Sequence, residues 1–222
     1  VKSEINRTNH LEKHKIREFV DDLNYPIYYL DFETMAPAIP KYNGSRPYQQ
    51  LVFQYSLHIQ SSQNSELFHK EFLADPKEDP RPRFIEKLIE DCGKSGDILV
   101  YNIGFERSKL KDLISVFPEY STALNGIINR LKDLMVPFQQ RWYYTHEMKG
   151  SYSIKYVLPA LVPELSYDDL DIKDGGTASN TFLSMVNGTF EGDVTEKRKQ
   201  LIKYCTRDTY AMVRILEILQ NV

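Results

Sequence analysis

Residues 26–34, "PIYYLDFET", are apolar at nearly every position, and Pro26 punctuates their start. This pattern predicts a central strand covered on both sides. Beyond a loop rich in proline, glycine and aromatics, "LVFQYSLHIQ" alternates instead. Leu51, Phe53, Tyr55, Leu57 and Ile59 share one face, and Gln54, Ser56, His58 and Gln60 share the other. That alternation predicts a half-exposed strand, with "ELFHKEFL" as its antiparallel partner across the turn "SSQNS". "RPRFIEKLIEDC" has helical spacing through Ile85, Leu88, Ile89 and Cys92, and "DILVY" reads as a short buried strand.

From Gly104 onward the pattern is mostly helical, broken at Pro118, Pro137, Pro159 and Pro163 and by the loop "DIKDGGTASN". A long amphipathic helix closes the chain, with Thr195 as its expected cap. Residues 1–24 read as a polar lead-in, helical around "LEKHKIREFVDDL", with Leu11, Ile16, Phe19, Val20 and Leu23 as a partial apolar face. The order predicts an α/β fold: a mixed sheet flanked by helices, as one globular domain over 25–222.

Composition narrows the picture. A chain of 222 residues, 41% hydrophobic, supports one sizeable core. Its opening holds no apolar stretch resembling a signal peptide or membrane span, and Val1 in place of Met suggests a soluble fragment of a longer polypeptide. Cys92 and Cys205 are too few for a disulfide framework and suit a reducing cytoplasm. A formal charge of -3 argues against binding nucleic acid through the overall field. A local groove remains open, and two bound divalent cations would bring the balance to -3 + 4 = +1.

The candidate chemistry lies in acids that interrupt apolar patterns. Asp31 and Glu33, two apart on a strand, point to the same face. A carboxylate buried in such a strand costs several kcal/mol, by the effective penalty for ion burial, unless it is paired or bound to metal. Stepping back four from Leu110 lands on Glu106, inward-facing in a helix's first turn, where the dipole also favours an anion. Asp208 falls within the series Leu201, Cys205, Met212, Ile215, Leu219, on the core face, with Tyr204 one turn before it. Alone, Asp208 would suit a hydrogen bond to Tyr204 or Arg207. Four inward carboxylates repel one another without cations. Hard oxygen donors suit Mg²⁺ or Mn²⁺. Two such ions, about 3.5 to 4 Å apart, are a recurrent device for phosphodiester hydrolysis.

These residues resemble the motifs of the DEDD exonuclease superfamily, whose members have a ribonuclease H-like fold. D-x-E on the first strand matches Asp31 and Glu33; N-x-x-F-D matches Asn102, Phe105 and Glu106, with Glu in place of Asp; Y-x-x-x-D matches Tyr204 and Asp208. Lys203 stands where the histidine branch has its histidine, so the chain looks like the tyrosine branch. The segments "YPIYYLDFET", "RPYQQLVFQYSLH", "YNIGFE", "GSYSIKYVLPALVPELSY" and "YCTRDTYAM" also resemble a bacterial domain of unknown function found C-terminal to RecB-like nuclease domains.

The resemblance implies Asp31, Glu33, Glu106 and Asp208 as ligands of two Mg²⁺ or Mn²⁺ ions and Tyr204 as the group orienting the attacking water. It implies a cytoplasmic 3′-to-5′ exonuclease acting on DNA or RNA, with a RecB-like domain as a partner in the same polypeptide. The alternative is a weak or inactive nucleic-acid-binding module serving an attached nuclease. Asn102 is expected to hold either the substrate backbone or the helix turn. Lys41, Tyr42, Arg46, Tyr48 and Gln49 combine charge with stacking surface suited to a single-stranded 3′ end. Lys155 is a candidate phosphate contact, and His10 and His14 read as a solvated face.

Overall fold

The computed structural model describes residues 9–222, so the first eight positions of the lead-in lie outside it. Five strands form a mixed sheet: β2 (Ile27–Met35), β3 (Leu51–Gln60), β4 (Leu67–Leu73), β5 (Ile98–Val100) and β6 (Leu131–Asp133). Their spatial order is β4-β3-β2-β5-β6, antiparallel from β4 to β2 and parallel from β2 to β6. β6 escaped the sequence reading because three residues, "LKD", carry no periodicity. A second, two-stranded ribbon pairs β1 (His10–Leu11) with β7 (Tyr143–Tyr144). Leu11 is therefore an exposed strand residue, and the lead-in helix α1 is limited to Lys13–Asp21, with Ile16 buried.

The remaining helices are α2 (Pro80–Asp91), α3 (Ile103–Val116), α4 (Ser121–Ile128), α5 (Val136–Gln139), α6 (Ile154–Leu161), α7 (Gly175–Asn187) and α8 (Val194–Gln220). Among the described residues no helix is long and apolar enough to cross a membrane. Three expectations about helix ends are corrected. Asp193, not Thr195, caps α8, accepting from the Thr195 and Glu196 N–H groups. Asp174 caps α7 inside the segment expected to be loop, and Pro159 lies within α6 rather than interrupting it.

One face of the sheet is apolar along β2 and β3. Tyr28, Leu30, Phe32, Tyr55 and Leu57 pack on Phe84 and Leu88 of α2, Leu110 and Leu113 of α3, and Leu124 of α4. The Phe84 ring meets Phe32 and Tyr55 edge-on, at centroid distances of 5.1 and 5.4 Å. The other face begins like a core, with Ile27, Tyr29 and Leu99 against Met212, Ile215 and Leu216 of α8. Farther along β2 it turns polar.

β3 is not half-exposed. Gln54 and Ser56 are each 1% exposed and His58 is buried, because α8 covers the polar face. The alternation reported polarity rather than contact with water, and each of these side chains makes a hydrogen bond instead, although Gln54 Oε1 has no partner among the described residues. The Gln54 amide donates to the Leu201 carbonyl at 2.9 Å; Ser56 Oγ and His58 Nδ1 meet Thr209 Oγ1 at 2.7 and 2.8 Å; Tyr29 donates to Gln60 Oε1 at 3.1 Å. A buried hydrogen-bonded network of this kind fixes the rotation and register of the helix that shares it.

A bulge also corrects the expected apolar face of β3. Glu33 pairs with Gln54 but Thr34 pairs with Val52, so Phe53 is skipped between Glu33 and Thr34. The extra residue flips the strand locally. Val52 joins the α2 side, while Leu51 and Phe53 turn to α7, where Phe53 stacks on Phe182 at 4.1 Å.

Candidate metal centre

β5 pairs with β2 only at Tyr28 and Tyr29, so Asp31 and Glu33 lie past its end, where the chain leaves the sheet to start α3. Clefts outside the carboxyl ends of parallel strands are where open α/β sheets bind ligands. α8 brings Asp208 onto the same spot. One carboxylate oxygen each from Asp31, Glu33 and Asp208 lie within 4.8 Å of one another. Gly175 at the start of α7 completes the rim: a Cβ there would stand 3.6 Å from Glu33 Oε2.

Glu106 occupies the first turn of α3, 1% exposed, outside that three-acid group but close enough for Asp31 to raise its pKa. Its Oε2 is buried with no hydrogen-bond partner among the described residues. An unpartnered buried carboxylate oxygen is costly, and beside three further acids it is a ready ligand atom.

Burial is the main cause that raises the carboxyl pKa at all four positions. Asp208 adds to it at Asp31, and Asp31 and Asp208 add to it at Glu33. Asp208 is raised to about 6, held back by the phenols of Tyr167 and Tyr204. Tyr167 is the direct donor, at 2.5 Å to Asp208 Oδ1. Tyr204 is buried beside the same carboxylate, and burial with Asp208 pushes its phenol far up, so it is a neutral donor. Cys205 Sγ lies 3.7 Å from Asp31 Oδ2.

The neighbouring bases are engaged elsewhere. Arg207, the expected alternative partner of Asp208, pairs with Asp169 at 3.0 Å and donates to the Ser166 carbonyl; Lys203 also reaches Asp169, and Lys109 pairs with Asp112. Lys155 is placed at the rim: its ammonium donates to the Lys173 carbonyl at 3.2 Å, and its field lowers the pKa of Glu33 and Asp208.

Other expected residues fare differently. Asn102 precedes α3 in a left-handed conformation, φ 83°, and its side chain makes no capping bond. The Asp133 carboxylate holds the turn instead, accepting from the N–H groups of Asn102 and Ile103 at 3.0 Å each. Arg46 and Gln49 bond each other and line a cavity with Ser115 and Val116, at the opposite end of α3 from Glu106. Ten residues of helix separate Val116 from Glu106, roughly 15 Å. The structure thus does not bring them to the acids. Tyr48 is 73% exposed, and Tyr42 lies under the Arg81 guanidinium. His10 and His14 meet Glu12 and Glu18 on the exposed surface.

Tyr167 and Asp133 were missed. Tyr167 lies in an irregular segment with no period to give it a direction, and its only signal was an aromatic residue among acids in "LSYDDL".

A family model described as "Domain of unknown function (DUF2779)" matches residues 28–153. Relatives include the uncharacterized protein MG366 of Mycoplasma genitalium, 26% identical over 211 residues, covering 87% of this chain and 32% of that protein. The uncharacterized protein UU173 of Ureaplasma parvum is 29% identical over 213 residues, covering 84% and 30%. The MG366 homolog of Mycoplasma pneumoniae is 27% identical over 205 residues, covering 84% and 31%. The chain spans about a third of the length of these relatives. No solved structure matches it.

Proposed function

The chain belongs to the family described as a domain of unknown function (DUF2779), and from that premise we propose that it is a divalent-metal-dependent 3′-to-5′ exonuclease domain with a ribonuclease H-like fold. The observation that carries this reading is the convergence of Asp31, Glu33 and Asp208 within 4.8 Å, with Glu106 offering an unpartnered oxygen beside them. An all-carboxylate donor set fits Mg²⁺ or Mn²⁺ and suits neither zinc nor copper. Bound there, such ions would supply positive charge against the phosphoryl oxygens and make water a better nucleophile at neutral pH.

The chain's own residues would do the rest. Tyr167 fixes the orientation of Asp208 through its hydrogen bond. Tyr204, neutral and buried among Asp31, Glu33 and Asp208, donates a hydrogen bond rather than accepting a proton, and so orients a water for attack on phosphorus. The water oxygen bonds to phosphorus and its proton passes to solvent, the P–O3′ bond breaks, the leaving 3′ oxygen takes a proton from solvent, and a nucleoside 5′-monophosphate departs. Lys155 at the rim favours approach of an anion to an otherwise acidic pit. The reading extends to a cytoplasmic protein in which this domain works beside a RecB-like nuclease domain.

Incubation with 3′-labelled single strands of DNA and RNA in Mn²⁺ tests it. Release of labelled mononucleotide by the wild type, and none by Asp31→Asn or Asp208→Asn, supports the reading. Absence of cleavage in every condition overturns it. The placement of Glu106 outside the three-acid group favours one second reading, a nucleic-acid-binding module with weak catalysis. Metal and strand binding without turnover would select that one.

A further inference from the structure

In the parallel pairing of β2 with β5, Tyr29 lies opposite Leu99, and both pack in the same cluster. Tyr101 follows β5 directly, in the turn into α3 whose first turn carries Glu106, and it packs against that same cluster. The Tyr101 phenol donates to the Tyr152 carbonyl at 2.7 Å, which ties residue 152 to the turn that starts the Glu106 helix. Three residues on, Lys155 sits at the rim with its field reaching Glu33 and Asp208. α6 buries Val157 and Leu158, while Tyr156 turns outward beside Lys155. Tyr152 and Tyr156 are 46% and 45% exposed, two large rings left in water three residues before and one residue after Lys155, whereas Arg207, whose field also reaches Asp208, is paired with Asp169.

We propose that Tyr152, Lys155 and Tyr156 form the mouth of the pit and hold the last nucleotides of a single-stranded nucleic acid, through one phosphate contact and stacked bases. This inference rests on the nuclease reading of the pit. The chemistry is that of sequence-tolerant strand binding, in which aromatic faces stack on any base and a lysine meets a phosphate as a point charge. Clustered carboxylates repel phosphates, so a cation at the edge is what lets the strand end approach them.

The test is fluorescence anisotropy of short 5′-fluorescein-labelled DNA and RNA single strands, measured on an Asp31→Asn background that removes one repelling carboxylate and the expected cleavage. Tyr152→Leu and Tyr156→Leu should each weaken binding about five- to a hundred-fold, the range for loss of one stacked base. Phenylalanine at either position should restore it, because the ring face does the stacking. Lys155→Met should reduce the slope of log K against log salt by about 0.7, as for one phosphate contact on a single strand. Unchanged affinity in both leucine variants, an unchanged salt slope in Lys155→Met, or no binding of either single strand overturns the mouth. If the wild type cleaves and the same leucine substitutions made in the wild-type background leave KM unchanged, the mouth falls and the nuclease reading stands. Loss of strand binding in those variants of a protein that cleaves nothing leaves the mouth standing and removes the nuclease reading.

Discussion

The two faces of the β2–β3 ladder are both covered by helices yet built of different material. On one, Leu30, Phe32, Tyr55 and Leu57 interlock with Phe84 and Leu88, and hydrophobic burial suffices to hold α2 and α3 in place. On the other, Asp31, Glu33, Gln54, Ser56 and His58 lie beneath α8, and that helix is seated by hydrogen bonds at Leu201 and Thr209. An apolar face tolerates a helix sliding by fractions of a turn, because dispersion is non-directional; a hydrogen-bonded face does not. Thr209 is the residue next to Asp208. The polar seam is therefore the device that delivers Asp208 to Asp31 and Glu33, and the opposite face supplies the stability that a cluster of like charges consumes.

Substitutions on the two faces should separate these roles. On the polar face, Asp31→Asn should lower cleavage at least about a thousandfold, the scale of several kcal/mol of lost metal assistance. Its metal-free unfolding midpoint in urea should hold or rise, because a repelling charge has gone. Loss of both activity and stability would show that Asp31 is structural. On the apolar face, Phe84→Ala should cost about 3–5 kcal/mol in the same urea titration, the usual range for an aromatic core truncation. Metal affinity in the fraction still folded should not change.

Acid should act on the polar face through His58. Burial, then His69, lowers the His58 pKa to about 4 from its ordinary 6.5, so the folded state prefers the neutral ring. Stability from this group is complete above pH 6.5, is lost as pH falls from 6.5 toward 4, and amounts to roughly 3 kcal/mol for a shift of that size. The groups facing it are His69, across from it on β4, and Thr209 and Tyr210 of α8, with Glu71 near His69. The raised carboxyl of Asp208, about 6, acts with the opposite sign, favouring the folded state as it protonates. A His58→Gln variant should therefore lose less stability than the wild type between pH 6.5 and 4; a profile identical to the wild type's would place the sensitivity elsewhere. The smallest effect is expected from Thr209→Val, which strands His58 Nδ1 and leaves Ser56 with His69 alone, and should cost about 1–3 kcal/mol. It should also weaken Mn²⁺ binding through the loosened Asp208, while Thr209→Ser retains both.

The acids were legible in the sequence because each interrupts a periodic apolar series, and period fixes direction. Asp31 and Glu33 break a buried strand, and Asp208 sits in the stripe of Leu201, Cys205 and Met212. What supports them was not. Tyr167 and Asp133 come from segments without a long period, the cap of α8 moved from Thr195 to Asp193 within ordinary boundary error, and the bulge at Phe53 breaks the alternation used to assign faces. Polar alternation on β3 read as a solvent face because alternation distinguishes two sides of a strand and is silent about what covers each.

The central claim is that the polar face gathers carboxylates to hold divalent cations. Calorimetric titration of Mn²⁺ into the metal-free chain, alongside Asp31→Asn and Asp208→Asn, tests it most directly. The account predicts saturable binding by the wild type that either substitution removes. No heat of binding, or binding that both variants retain in full, would contradict it.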